Sequence, residues 1–303
     1  MRRAVSIVIP SHNGKCLLEK NLPSVAAAVA ARDAGDEIIV VDNGSSDGTA
    51  KFLAETFPGV RVIELERNEG FGYACNRGVT ESGNDIVVLL NNDVRVSADF
   101  VGYVTPHFEK NGIFAVMCRD ENERRGKDVP DGIVPVLYAS GGYSAYDREK
   151  FLLLGMFHPL YTPFYGEDRD MGYRAWKRGW PSILEPRSIV FHAGEETARR
   201  MEKKYVESVK FRNRLFFYLS CYEDASLALT HCARRILQEA VRRPRRVFPV
   251  LNEVRRRYAG VRQKRLSDKP FWKYGDRRIL RGIARARSAA RTESCRGRRS
   301  EGT

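Results

Sequence analysis

The sequence has few of the features that mark secreted, zinc-binding or membrane-spanning proteins. Its six cysteines stand apart, at positions 16, 75, 118, 221, 232 and 295, and form no C-x-x-C pair. This scatter argues against a zinc site or a disulfide framework and favours reduced, cytosolic thiols. No run of 18 apolar residues occurs, and the first residues lack a signal-peptide pattern. We therefore expect neither a spanning helix nor a secretory signal.

The sequence also lacks the signatures of repeat folds and of P-loop proteins. No segment of the chain repeats, which argues against solenoid and propeller folds. The chain also lacks the glycine-rich Walker motif that ends in Gly-Lys-Ser/Thr, so a P-loop of that kind is excluded.

Positive charge is concentrated in the last third of the chain. Residues 199–303 hold 30 of the 52 basic residues but only 10 of the 38 acidic ones, which leaves the first 198 residues at −6. Apolar helical segments between arginine clusters at 242–246 and 255–257 favour docking on an anionic membrane surface. Nucleic acid would use the same charge, but no nucleic-acid-binding motif accompanies it. The interface of a homo-oligomer is the remaining interpretation.

The first half of the chain alternates apolar strands with helical patterns. Short strands are predicted at 5–9, 37–41, 61–65 and 86–90, and the apolar runs at 5–9 and 37–41 fit buried parallel strands. Strands that alternate with helices predict an open α/β sheet, whose ligands bind beyond the carboxyl ends of the strands.

Polar residues and glycines follow all four predicted strands. Asp42 comes directly after the second strand, where a carboxylate can accept hydrogen bonds from a base or a ribose. Gly70 allows the backbone to approach a ligand closely. Asp93 suits a divalent cation that bridges two phosphates, although the run of residues 91–93 is equally compatible with a turn. Together the four clusters favour a nucleotide-sugar site.

Three carboxylates, at Glu167, Asp168 and Asp170, begin a predicted amphipathic helix. Basic residues follow on its later turns, and this order suits the helix dipole, which is a purely structural explanation. Next to a ligand site, one of these acids would instead serve as a general base, with its pKa raised by repulsion from its neighbour.

The motifs VSIVIPSHNG, VVDNGSSDGT, NEGFGYACNRG, LLNNDV and FYGEDRDMGYRAWKRGW, in this order, resemble those of a family 2 inverting glycosyltransferase. The similarity covers residues 4–195 and points to the bacterial rhamnosyltransferase-like branch, which builds cell-surface polysaccharide. It implies the GT-A fold, an α/β architecture with a mostly parallel sheet flanked by helices. The implied donor is a UDP- or dTDP-sugar, and the implied acceptor is a hydroxyl of a lipid-linked glycan.

The resemblance also assigns roles to individual residues. The donor would contact Pro10, Ser11, Asp42, Gly70, Asn76, Asn91 and Asn92. Residues 91–93 stand where the family carries its Asp-x-Asp motif, so Asp93 is the expected metal ligand, with His192 as the second. The implied cofactor is Mn²⁺ or Mg²⁺, and Asn91, which replaces the first acid of the motif, should weaken its binding. The catalytic base falls in the Glu-Asp pair, where we favour Asp168 and keep Glu167 and Asp170 as alternatives.

Three regions are therefore predicted. Residues 1–198 form the catalytic domain, 199–276 a basic amphipathic helical region for membrane docking or oligomerisation, and 277–303 a disordered Arg-rich tail. Such an enzyme would work at the cytoplasmic face of the plasma membrane, as a peripheral protein. One alternative is a sugar-nucleotide pyrophosphorylase, whose glycine-rich Arg/Lys loop is absent after the first strand. Another is a non-catalytic basic adaptor for membrane or nucleic acid, which leaves the carboxylates unexplained.

Overall fold

The computed structural model describes residues 3–109, 112–122, 132–194 and 201–300, without the side chains of 291 and 293–300. Within these ranges the strands are β1 (Val5–Ser11), β2 (Glu37–Asn43), β3 (Arg61–Leu65), β4 (Ile86–Leu90), β5 (Val94–Val96), β6 (Ala115–Asp120), β7 (Val134–Val136), β8 (Tyr143–Asp147) and β9 (Ser182–His192). The helices there are α1 (Lys15–Ala30), α2 (Thr49–Thr56), α3 (Phe71–Glu81), α4 (Phe100–Val104), α5 (Arg148–Leu153), α6 (Glu167–Arg178), α7 (Lys203–Cys221), α8 (Ala225–Arg242), α9 (Pro244–Arg256), α10 (Tyr258–Asp268) and α11 (Asp276–Ser300).

All described strands belong to one sheet, in the order β3-β2-β1-β4-β8-β6-β9-β5, with β7 paired to β9. The ladders among β1, β2, β3 and β4 are parallel, as the four apolar runs predict. Beyond β4 the sheet is mixed, because β8 runs antiparallel to both β4 and β6. The predicted α/β fold with a mostly parallel sheet is confirmed, and the antiparallel ladders all lie in the half of the sheet beyond β4.

Helices cover both faces of the parallel part of the sheet. Leu18, Leu22 and Val25 of α1 pack against one face. On the other face, α3 lies so close that a Cβ atom at Gly78 would be 2.2 Å from Val8 Cγ1. Each fully buried leucine or valine contributes about 1.5–3 kcal/mol, so these faces hold the strand ends in fixed positions.

The C-terminal helices share a core with α6 and the segment that precedes it. Phe211, Leu215 and Phe216 of α7 are buried in one cluster with Tyr161 and with Tyr173 of α6. The region after residue 199 is therefore packed directly behind α6, and its position relative to the sheet is defined by that core.

Residues 277–300 of the Arg-rich tail belong to the helix α11 in the structure, and the disorder expected for this tail stays a prediction. Ile279 and Ile283 of this helix are buried in the C-terminal core, and two anchoring side chains one turn apart explain why the segment is helical despite its composition. Residues 301–303 of the predicted tail lie outside the described residues.

The described helices include none that is both long and apolar enough to cross a membrane. The thiols at positions 16, 75, 118, 221 and 232 are free, and all of them except the one at 16 are buried.

Candidate active site

The carboxyl ends of three adjacent strands bring together residues expected at the donor. Ser11, at the end of β1, is the ladder partner of Asp42 in β2. Asn92 follows β4, and its Nδ2 atom donates a 2.9 Å hydrogen bond to Ser11 Oγ. Asp42 is buried, and its Oδ1 atom accepts from the backbone N–H of Ser45 at 3.1 Å. Pro10 is buried inside β1. These contacts hold the carboxyl ends of β1, β2 and β4 close together.

Gly70 and Asn76 occupy different positions around α3. Gly70 precedes the helix at φ +93°, a conformation that favours glycine, and a Cβ atom there would lie 3.1 Å from Pro163 O. The side-chain amide of Asn76 makes two hydrogen bonds to the backbone of Phe157. It donates to the carbonyl at 2.8 Å and accepts from the N–H at 3.0 Å. The structure thus gives Asn76 a structural role, because its amide joins α3 to the chain before α6.

Asp93, Asn91 and His192 converge at the other side of this edge. The pairing of β5 with β9 sets Val94 opposite His192. As a result, Asp93 Oδ1 lies 3.2 Å from His192 Nε2, and Asn91 Nδ2 lies 3.4 Å from the same nitrogen. Asp93 Oδ1 is buried without a hydrogen-bond partner, since its contact with the imidazole does not have hydrogen-bond geometry.

The described residues contain no cluster of three or more His, Cys, Asp or Glu side chains arranged to hold a metal unaided. The site nevertheless fits a divalent cation that takes its other ligands from a diphosphate. A buried carboxylate oxygen without a partner requires a positive neighbour, and an imidazole nitrogen lies beside it. Carboxylate oxygen with imidazole is a donor set that suits Mn²⁺, whereas Mg²⁺ prefers oxygen.

Asp120 is a neighbour of this site that sequence reasoning missed. Its Oδ1 atom accepts from the backbone N–H of His192 at 3.2 Å, and its Oδ2 atom lies 3.8 Å from His192 Nδ1. This is the position from which a carboxylate orients a metal-binding imidazole. The available signal was an acid at the end of the apolar run FAVMCRD.

The Glu-Asp pair opens α6 after Gly166, whose φ of +103° forms the turn into the helix. Asp168 is half-buried, and its carboxylate accepts from the backbone N–H of Arg169 at 2.7 Å and of Gly141 at 3.5 Å. Glu167 is buried, and its Oε2 atom has no hydrogen-bond partner. Asp168 is therefore the carboxylate of the pair that solvent can reach and backbone donors orient.

Burial acts on both acids of the pair. It raises the pKa of Glu167 to about 8, with the charge of Asp168 as the second cause. Burial also raises the pKa of Asp168, while the charge of Arg169 opposes the shift. With a pKa near 8, Glu167 is mostly protonated at neutral pH.

Asp170 is fully buried in an ion-pair network and does not face the site. Its carboxylate is 2.7 Å from Arg174 Nε and 2.7 Å from Lys264 Nζ, and it accepts from Tyr161 Oη at 2.9 Å. Burial alone would raise the pKa of Asp170, but the charges of Arg174 and Lys264 hold it well below the usual range. A carboxylate so paired lacks the free lone pairs that a general base requires, so the alternative of Asp170 as the base has no structural support.

A two-glycine turn connects the carboxylate pair to the Asn91 side of the edge. Gly142 O accepts from the backbone N–H of Asn91 at 2.8 Å, while Gly141 N–H points to Asp168. A Cβ atom at Gly142 would lie 2.7 Å from Asn91 Nδ2, so only glycine fits without a shift. The turn therefore fixes the spacing between Asp93 and Asp168.

The model of glycosyl transferase family 2 matches residues 6–164 of this chain. That range is more than half of the sequence and includes the strand ends and the two-glycine turn. The chain belongs to glycosyl transferase family 2.

Curated relatives support the same assignment. The glycosyltransferase is 25% identical over 222 residues to N-acetylglucosaminyl-diphospho-decaprenol L-rhamnosyltransferase of Mycobacterium tuberculosis, a match that covers 58% of this chain and 71% of the relative. Undecaprenyl-phosphate 4-deoxy-4-formamido-L-arabinose transferase of Sodalis glossinidius is 38% identical over 95 residues, which is 30% of this chain and 29% of that protein. The similarity to the rhamnosyltransferase-like branch is confirmed.

Solved structures confirm the GT-A fold of the glycosyltransferase. A mannosyltransferase from Pyrobaculum calidifontis in complex with GDP-Man and Mn²⁺ superposes with a TM-score of 0.59 at 17% identity, over 89% of this chain and 85% of the other. The structure of S. aureus TarS 1–349 in complex with UDP-GlcNAc superposes with a TM-score of 0.60 at 14% identity. This match covers 88% of this chain and 89% of the other. Family and fold together decide against both the pyrophosphorylase and the non-catalytic adaptor.

Proposed function

We propose that this enzyme is a metal-dependent inverting glycosyltransferase that moves a sugar from a UDP- or dTDP-sugar to a hydroxyl of a lipid-linked glycan. The observation that carries the proposal is the arrangement of Asp93 with His192 on one side of the two-glycine turn and Asp168 on the other. A leaving diphosphate needs residues that hold a cation, and an attacking hydroxyl needs a base. These two sets of groups must stand at separate places along one edge of the sheet.

Asp168 is the proposed general base. It takes the proton of the acceptor hydroxyl as that oxygen attacks the anomeric carbon from the face opposite the diphosphate, and the configuration inverts. Backbone N–H groups of Gly141 and Arg169 orient the carboxylate, and the neighbouring Glu167 is mostly protonated at neutral pH. A raised pKa brings Asp168 closer to the working pH, which favours proton transfer.

Asp93 and His192 would hold the cation, with Asn91 beside them and Asp120 behind the imidazole. A bound Mn²⁺ or Mg²⁺ would offset the negative charge that develops on the leaving diphosphate. Donor residues proposed for the nucleoside are Ser11 and Asp42, at the ends of β1 and β2. The Mn²⁺ in the structures of distant GT-A neighbours supports this reading.

The acceptor is proposed to be carried by a polyprenyl diphosphate in cell-surface polysaccharide synthesis, in line with the name of the mycobacterial relative. We further propose that the enzyme reaches it from an anionic membrane surface, as a peripheral protein of the cytoplasmic face. Leu229, Leu237 and Val241 form an exposed stripe on α8, and Phe248 of α9 is exposed as well. Exposed arginines, among them Arg242, border this stripe, which is the pattern of an interfacial helix.

The experiment that tests the function is a donor panel. The intact protein is incubated with UDP- and dTDP-sugars, with and without Mn²⁺ or Mg²⁺, and both the melting temperature and nucleoside diphosphate release are measured. We expect one donor class to raise the melting temperature only when the cation is present. If no nucleotide sugar protects the protein or is hydrolysed under any of these conditions, the proposed function is wrong.

A further inference from the structure

Of the arginine cluster at 255–257, two members face outward at the junction of α9 and α10. Arg257 is half-buried and donates to Leu160 O at 3.0 Å, so it fastens this junction to the segment that leads into α6. Arg255 and Arg256 are exposed and line an open groove of about 660 Å³. Arg262 of α10 lines the same groove, so three arginines surround one concave surface.

The groove also has an apolar wall, on the outer side of α10. Tyr258, Arg262 and Leu266 follow one another at intervals of four residues and so lie on one side of the helix. Tyr258 and Leu266 are 52% and 54% exposed, and both line the groove. On the inner side of α10, Lys264 is buried, 2.7 Å from Asp170, and this ion pair holds α10 against α6. The groove is thus fixed to the folded core and places basic and apolar side chains next to each other.

The positive charge of this groove is not balanced by the helices that form it. Each of them contains a single acidic residue, Glu253 in α9 and Asp268 in α10. Glu253 pairs with Arg212 at 2.6 Å and Asp268 with Lys264 at 2.9 Å, and both of these partners lie outside the groove. The three arginines of the groove form no ion pair with any residue that the structure describes. A ligand that complements this surface therefore carries negative charge.

The same surface also favours an apolar part in the ligand. A guanidinium group binds phosphate oxygens through two parallel hydrogen bonds, whereas a tyrosine ring and a leucine side chain favour contact with hydrocarbon. Phe248, which is 79% exposed, lies seven residues before Arg255, and this spacing of two turns puts both on one side of α9. An exposed phenylalanine on that side is placed to enter the apolar layer beneath lipid head groups.

We propose that the groove at the junction of α9 and α10 binds the phosphate of an anionic phospholipid. The three arginines hold the phosphate, while Tyr258 and Leu266 contact the glycerol and the first methylene groups of the acyl chains. This inference rests on the proposed docking of the enzyme to an anionic membrane, because it names the lipid group that this part of the surface recognises. A bound head group would also orient the enzyme on the membrane, since Arg257 ties the junction to the segment before α6.

The test uses a phospholipid that binds as a single molecule. Dihexanoyl phosphatidylglycerol, kept below the concentration at which it forms micelles, is titrated into the full chain by calorimetry. Dihexanoyl phosphatidylcholine has the same chains without net charge, and inorganic phosphate is an anion without chains. The variants are Arg262→Gln and Arg262→Lys, which keeps the charge without the planar guanidinium. Arg281→Gln, at an exposed position of α11, is the charge-matched control.

We expect wild type to bind the phosphatidylglycerol more tightly than the phosphatidylcholine or inorganic phosphate. Arg262→Gln should weaken this binding about tenfold or more, the scale of losing a hydrogen bond between charged groups, and Arg262→Lys should weaken it less. Arg281→Gln should leave it unchanged. Equal binding of phosphatidylglycerol by wild type and Arg262→Gln overturns the proposal. Phosphatidylcholine or inorganic phosphate that binds as tightly as phosphatidylglycerol overturns it as well, because the ligand would then not be an anionic lipid.

Co-sedimentation with vesicles that contain phosphatidylglycerol separates this proposal from the proposed membrane docking. A wild type that binds the vesicles but not the single lipid refutes the groove and leaves docking to the exposed stripe on α8. A wild type that binds the single lipid through Arg262 but not the vesicles supports the groove and refutes the membrane docking.

Discussion

The two neighbouring acids at the start of α6 differ in role because they differ in exposure. Glu167 points into the protein and has a carboxylate oxygen without a hydrogen bond, whereas Asp168 is half-buried and held by two backbone N–H groups. A buried carboxylate without donors favours its neutral form. Repulsion from Asp168 strengthens this preference, so Glu167 is mostly protonated at neutral pH.

This difference predicts how stability depends on pH. The pKa of Glu167 is about 8 in the folded chain, above the ordinary value of 4.5. Between these values the folded state binds more protons than the unfolded state, so Glu167 lowers the free energy of unfolding as pH rises through that window. Glu167→Gln cannot ionise and should therefore gain melting temperature relative to wild type from about pH 5 to pH 8. Parallel curves for wild type and variant would contradict this; Glu19→Gln, exposed on α1, is the control.

A second prediction at this scale concerns the cation. Asp93→Ala should abolish Mn²⁺-dependent binding of nucleoside diphosphate, and His192→Ala should weaken it less, because only the carboxylate supplies negative charge. Isothermal titration of UDP and dTDP, with and without Mn²⁺, measures both effects. If both variants bind UDP and dTDP with unchanged affinity, whether or not Mn²⁺ is present, the assignment of the cation to this site is wrong.

At the scale of elements, helices from the C-terminal half hold α6 and the turn before it. Lys264 of α10 pairs with Asp170 at 2.7 Å and with Asp268 at 2.9 Å. Asn213 of α7 donates to the carbonyls of Tyr161, Phe164 and Tyr165, at 2.9, 3.0 and 2.7 Å. Tyr165 has a φ of +69°, a strained conformation for a tyrosine, and these hydrogen bonds help to hold it. The position of Asp168 thus depends on helices far away in sequence.

Asp170→Asn should consequently act on stability. Removing the charge of Asp170 leaves two buried cations, Lys264 and Arg174, to share the carboxylate of Asp268, and breaking a buried ion pair in this way costs about 3–5 kcal/mol. Urea unfolding of the variant measures this loss. If the variant has unchanged stability but has lost turnover, Asp170 would instead be a catalytic residue.

Local patterns predict the parallel strands well, because β1, β2 and β4 are short, β-branched and largely buried, although β3 is partly exposed. They also predict α6, with its acidic first turn and a glycine after Arg178. The mixed half of the sheet could not be predicted, since the antiparallel entry of β8 depends on long-range pairing. The same is true of Asp120 and Asn213, which reach the site through tertiary contacts, and of Asn76, whose structural role is visible only once Phe157 lies beside it.

At the scale of the whole molecule, the basic third of the chain divides into paired and unpaired arginines. Arg246 is 2.6 Å from Glu239 and Arg243 is 3.1 Å from Glu207, so both stabilise the helical region. Arg242 and Arg245 are exposed and have no ion pair to any described residue. Of these four arginines, Arg242 and Arg245 are therefore the ones available to an anionic surface.

Binding to anionic vesicles should therefore fall when Arg242 and Arg245 are both replaced by Gln, by about 1 kcal/mol for each residue near the lipid. Co-sedimentation with vesicles that contain anionic lipid measures this, and high salt should weaken the binding of wild type as well. Lys20→Gln with Lys51→Gln, at exposed positions of α1 and α2, is the charge-matched control. If the intact chain does not bind anionic vesicles at low salt, the surface instead forms an oligomer interface or binds nucleic acid.

The most direct test of the assignment of Asp168 is the turnover of Asp168→Asn on the donor that the panel identifies. The isosteric change keeps the contacts of α6 but removes the proton acceptor, so donor affinity should remain while turnover falls about a hundredfold or more. Glu167→Gln, which already resembles the protonated side chain of wild type, should retain most of its turnover. Near-normal turnover of Asp168→Asn together with an inactive Glu167→Gln would contradict the assignment and make Glu167 the base.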